Sequence, residues 1–130
     1  MRAVMRLLTW LCACSALVAG CSSDDPEAGA TGSACPSSST LTYDSFGKGF
    51  MDRYCVRCHS SALTGSARNG APSDHNFDTL EGLHATEPEH IDEQAAAGPA
   101  RVNTTMPPDD PRPSEAERRE LGEWVACGMP

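Results

Sequence analysis

The chain is poor in the residues from which a small domain usually builds its core. Of 130 residues only three are Phe, two Trp and two Tyr. From Cys35 onward the large apolar side chains are Phe46, Phe50, Phe77, Leu80, Leu83, Ile91, Leu121, Trp124, Val125 and few others. That material is too thin for a self-sufficient fold of this size, so a covalent staple or a large bound group is expected. Positive charge is scarce as well. Ten Lys and Arg stand against 18 Asp and Glu, a formal net charge of −8. This balance argues against partners bound through nucleic-acid phosphates or an anionic lipid surface. No apolar run spans a bilayer comfortably, and no internal repeat is visible.

What is present begins with an export segment. Met1 to Arg6 is short and positive, Leu7 to Val18 is apolar, and small residues lead to Cys21. The stretch "LVAGC" is similar to the bacterial lipoprotein signal. That resemblance implies cleavage before Cys21, a diacylglycerol on its sulfur and anchorage to a membrane, with Ser22 matching the outer-membrane sorting preference of some bacteria. Ordinary signal cleavage is the other reading, and it leaves Cys21 as an exposed thiol in an exported protein. Losing Arg2 and Arg6 leaves eight cations against 18 anions, a net charge of −10. Such a surface suits a partner with a basic docking patch, or simple solubility.

The seven cysteines then sort themselves. Cys12 and Cys14 leave with residues 1–20, Cys21 carries lipid, and Cys55 and Cys58 form a motif. Cys35 and Cys127 remain, and in an oxidising compartment a disulfide between them is expected. It would close a loop of about 90 residues, worth roughly 4–5 kcal/mol by chain entropy. Ser22 to Ala34 contains no large apolar residue and reads as a flexible tether, about 20 Å from end to end. The expected organisation is therefore a signal over 1–20, a lipidated N-terminus and tether over 21–34, and one folded domain over 35–130.

Within that domain two helices are clear. Thr42 can cap a helix through "YDSFGKGFMDRYCVRCH", with Phe46, Phe50 and Tyr54 in one ridge. Gly47 and Gly49 are poor helix formers, and close approach of another backbone would explain them. Near the C-terminus Ser114 to Glu117 form a capping box, Leu121, Trp124 and Val125 share a face, and Gly128 ends the helix. Between them, "DHNFDTLEGL" and "HIDEQAAA" each predict a short helix. The fold class expected is all-α.

"CVRCH", Cys55 to His59, carries the chemistry. A redox dithiol, half of a zinc site and a covalent haem anchor all use Cys-x-x-Cys. Zinc needs further ligands, and no second paired Cys or His cluster follows. A thiol oxidoreductase places the pair at the start of a helix after a strand, whereas here it ends a helix. Cys-x-x-Cys-His is the attachment pattern of c-type haem: both sulfurs on one helical turn, with an imidazole directly after them.

At these residues the chain resembles the monohaem class I c-type cytochromes, over about Thr42 to Gly128. The likeness rests on "CVRCH", on Gly47 eight residues before Cys55, on "TMPP" at Thr105 to Pro108 and on "LGEW" at Leu121 to Trp124. It implies a cytochrome c-like fold around one covalent haem c, with the first and last helices crossing at Gly47, Leu121 and Trp124. It implies thioethers at Cys55 and Cys58, His59 as one axial ligand and Met106 as the other. His84 and His90 are the rivals of Met106, followed by Met51 and Met129. It also implies that His59 Nδ1–H meets a backbone carbonyl, with Gly70-Ala71-Pro72 as the candidate turn. Arg101 and Asn103 are either solvated loop residues or partners of a haem propionate. The function expected is a one-electron carrier, not an enzyme, serving a redox protein partner. A haem sensor or catalytic subunit with an open distal site is the alternative, and a non-haem surface lipoprotein with a structural Cys55–Cys58 disulfide is the third reading.

Overall fold

A computed structural model of the chain describes residues 30–130. The expected export segment over 1–20, the expected lipidation site Cys21 and residues 22–29 of the tether lie outside the described residues. The described residues are helical, and they contain no sheet beyond an isolated antiparallel bridge between Ala97 and Val102. A π-helical turn over Tyr43–Gly47 runs into α1 (Lys48–Tyr54), and a 3₁₀ turn follows at Gly65–Arg68. The remaining helices are α2 (Leu80–His84), α3 (Pro88–Ala95) and α4 (Glu115–Ala126). No described helix is long and apolar enough to cross a membrane.

The chain enters its first helix where the sequence directs it. Thr42 Oγ1 accepts from the Ser45 N–H at 3.1 Å, and Ser45 Oγ accepts from the Thr42 N–H at 2.9 Å. This reciprocal cap satisfies two donors that the helix itself leaves orphaned. Phe46, Phe50 and Tyr54 then stack in succession, with ring centroids 5.5 and 5.0 Å apart. Regular helix stops at Tyr54, earlier than the expected His59. The Met51 carbonyl is shared by the N–H groups of Cys55 and Val56, and the Cys55 carbonyl by those of Cys58 and His59. That exchange turns the ladder into a tight turn that carries the motif.

The last helix meets the first over a short stretch at Gly47. The Tyr43 N–H meets the Pro130 carbonyl at one end, and Tyr54 Oη donates to Glu117 at the other. Between them Trp124, fully buried, sits on Gly47 and edge-on to Phe46 at 5.9 Å. A Cβ on Gly47 would fall 2.3 Å from the Trp124 ring. Gly47 is thus required by a side chain, not by the backbone expected, and Gly49 faces open space, so packing does not explain it. The Ser114–Glu117 capping box forms as read, and Gly128 takes the left-handed position after the cap, at φ +83. The two expected short helices are α2 and α3.

Cys35 and Cys127 are joined in a disulfide with a Cα–Cα distance of 4.7 Å, fastening the two ends of the domain together. Thr31 to Ser33, which composition assigns to the tether, are packed instead. The Thr31 N–H and hydroxyl donate to the Asp92 carboxylate at 2.8 and 2.6 Å, and Thr31 is fully buried. Ser33 lies where side chains on Gly98 and Gly122 would otherwise stand. Small polar residues are buried here through hydrogen bonds, which a search for apolar residues does not register.

Candidate functional site

The core does not close over its centre. Phe50, Met51, Ile91 and Leu121 face an open cleft of ≈ 170 Å³, whose walls include Cys55, Cys58, His59 and Met106. The four residues predicted to hold a cofactor therefore border one cavity. Its largely apolar lining suits an apolar ligand better than water, and clefts lined in this way are where proteins hold cofactors.

His59 is fixed on three sides. Its ring stacks on Phe77 at 4.6 Å with an interplanar angle of 11°. Its carbonyl accepts from the Phe77 N–H at 2.7 Å, and its Nδ1 pairs with the His75 carbonyl at 3.2 Å. The carbonyl expected from Gly70-Ala71-Pro72 is not the acceptor. Arg68 captures the Ala71 and Pro72 carbonyls at 3.2 and 2.5 Å, and shares that of His75 with the imidazole. Burial holds the basicity of His59 below its usual value, with the His75 bond opposing. A neutral ring anchored through Nδ1 leaves Nε2 to bind a metal.

Cys55 and Cys58 are both free and are not joined to each other. Burial pushes the Cys55 thiol up to about 12, despite the opposing charges of Arg118 and Arg57. Dithiol exchange requires a thiolate, so this environment is the reverse of the one a thiol oxidoreductase builds. Nor do three His, Cys, Asp or Glu groups gather into a metal-binding cluster among the described residues, so no zinc donor set is assembled.

Met106 borders the cleft from a loop without regular structure, at 37% exposure. Its backbone is tied on both sides. The Met106 N–H donates to the Gln94 carbonyl at 2.8 Å, and its carbonyl accepts from Arg118 at 2.8 Å. Of its rivals, His90 and Met51 also line the cleft, whereas His84 pairs with the Met129 carbonyl and Met129 is buried in the core. Asn103 is no solvated residue: it is buried, and its Nδ2 donates to the Asp92 carbonyl at 2.9 Å. Arg101 is exposed.

Two buried arginines escaped the sequence reading. Arg118 donates to the carbonyls of Ala95, Asn103 and Met106 and so gathers the loop behind Met106. It lies three residues before Leu121 and seven before Val125, so helical spacing places it on the buried face. Arg68 organises the segment behind His59, and no periodicity announces it. Arg57, inside the motif, reaches across to the carbonyls of Asp109 and Asp110. Comparison with known proteins finds no matching family model, no similar curated protein and no similar solved structure.

Proposed function

We propose that this chain is an exported, lipid-anchored monohaem c-type cytochrome that carries single electrons. The observation that carries the reading is the convergence of Cys55, Cys58, His59 and Met106 on one apolar cleft inside a helical domain with too little core of its own. Residues separated by 47 positions in sequence need not have met. Their meeting at one cavity supports the cytochrome c-like fold that the motif implies.

The residues fit the group. Two free thiols would hold haem c by thioethers, the His59 imidazole would offer Nε2 to the iron, and Met106 would offer its thioether sulfur. Bound there, the iron would supply a one-electron couple. The chain's own task is to hold these ligands still and keep water from the centre. Phe50, Met51, Ile91 and Leu121 exclude solvent, and Phe77 keeps the His59 ring from rotating. Electron transfer needs only brief contact near an exposed edge, so a small, weak interface with a basic redox partner is expected.

The open distal site keeps one observation in its favour, the exposure of Met106. A sensor or catalytic subunit would use a mobile or absent sixth ligand. The covalent claim is tested by maturing the exported protein in a host with c-type haem attachment, then denaturing it. Haem that stays with the polypeptide, and is lost in a Cys55→Ser, Cys58→Ser double variant, is expected. A colourless wild-type protein would overturn the reading and favour the non-haem lipoprotein.

A further inference from the structure

The one cation buried behind His59 does more than order a loop. Arg68 is 4% exposed and makes no ion pair among the described residues. Its guanidinium offers five N–H donors in a fixed plane, and all five are used. Nε donates to the Ala71 carbonyl at 3.2 Å. Nη1 donates to the Ser60 carbonyl at 2.7 Å and to Asn76 Oδ1 at 3.0 Å. Nη2 donates to the Pro72 carbonyl at 2.5 Å and to the His75 carbonyl at 2.9 Å. The last of these is also the acceptor of His59 Nδ1 at 3.2 Å.

Two donors therefore compete for one oxygen. A carbonyl has two lone pairs, and a charge-assisted bond from a guanidinium takes the larger share of its electron density. The oxygen left to the imidazole is a weaker acceptor than an unshared carbonyl would be. A weaker pull on Nδ1–H leaves less anionic character on the ring, and thus less electron donation from Nε2. The buried positive charge acts in the same direction, because the low dielectric around it screens poorly.

On the haem reading, we infer that Arg68 is a positioning residue that tunes His59 as an iron ligand through the shared His75 carbonyl and raises the reduction potential of the centre. Removing the cation frees that carbonyl for His59 and withdraws a charge that disfavours the oxidised state. Both changes stabilise the ferric form.

The test uses the matured holoprotein with Arg68→Met and Arg68→Lys. For each variant the midpoint potential is measured by spectroelectrochemical titration. The His59 Nδ1–H resonance is recorded by NMR in the reduced, diamagnetic state, and thermal unfolding is followed alongside. Arg68→Met should lower the potential and move the Nδ1–H resonance downfield while sharp low-spin bands persist. Arg68→Lys keeps the charge but cannot span these acceptors, so it should fall between the wild type and Arg68→Met. Should Arg68→Met fail to fold, the lysine variant carries the test alone, and an unchanged potential and resonance in it would overturn the inference. Lower thermal stability with neither potential nor resonance moved, in either variant, shows a purely structural arginine and also overturns it. A wild type without haem bands overturns the haem reading itself, an outcome distinct from the other two.

Discussion

The two sides of the cleft are fastened by the same kind of residue in opposite ways. On the His59 side, Arg68 binds acceptors no more than eight residues away, inside a loop that closes on itself. On the Met106 side, Arg118 reaches from α4 to carbonyls 12 to 23 residues distant. Closing a short loop costs little chain entropy, so the His59 side needs little from the rest of the fold. The Met106 side holds its shape only while α4, α3 and the loop between them are docked. Two candidate ligands bordering one cavity thus inherit different stabilities from the way their supports are wired.

Breaking the long-range side should give the largest effect. Arg118→Met leaves the carbonyls of Ala95, Asn103 and Met106 without their shared donor. A buried acceptor that loses its donor costs about 1–3 kcal/mol, so a loss of at least that order is expected by chemical denaturation. The same variant should admit carbon monoxide to the reduced centre, because the loop that presents Met106 is released.

Gly47→Ala strikes the frame common to both sides. Its Cβ would meet the Trp124 ring at 2.3 Å, and that ring is fully buried with no room to retreat. Overpacking of this kind costs about 1–3 kcal/mol. Thermal unfolding should show the loss, with the haem spectrum of the folded fraction unchanged. Denaturant titration of the wild type sharpens the contrast further. The Met106 side should open at a lower concentration than the His59 side, read as gas accessibility before loss of low-spin character from His59.

Acid should give the smallest effect, and on the His59 side first. The Asp78 carboxylate accepts from the Ser61 hydroxyl at 2.7 Å, from the Ser61 N–H and from the Ser60 hydroxyl. Chiefly the Ser61 hydroxyl bond holds its carboxyl below the ordinary 3.8. A depressed acid stabilises the fold fully above its ordinary value and loses that contribution as pH falls through its folded value. The loop after His59 should therefore loosen only below about pH 3.8, seen as faster amide exchange at Ser61. Asp78→Asn should remove most of this pH dependence.

How much was legible in the sequence follows the same division. The local features were: the Thr42 cap, the Phe46-Phe50-Tyr54 ridge and the Ser114 capping box all depend on neighbours within about one or two helical turns, although the helix ends at Tyr54 and not at His59. The Cys35–Cys127 pairing was reached by counting cysteines. Features that depend on distant partners were not legible. Thr31 was assigned to the tether because its burial rests on Asp92, 61 residues away. The sequence points to the Gly70-Ala71-Pro72 turn for the Nδ1 acceptor because nothing in it shows Arg68 taking the Ala71 and Pro72 carbonyls. Arg118 was readable from its spacing with Leu121 and Val125, but a charged residue on an apolar face is easily passed over.

The proposed function requires that one haem would be held between His59 and Met106, with no place for substrate. The absorption spectrum of the reduced, matured protein, with and without carbon monoxide, tests it most directly. Sharp low-spin haem bands that the gas does not move are the predicted result. A large shift on adding the gas would contradict it and point to sensing or catalysis at an open distal site.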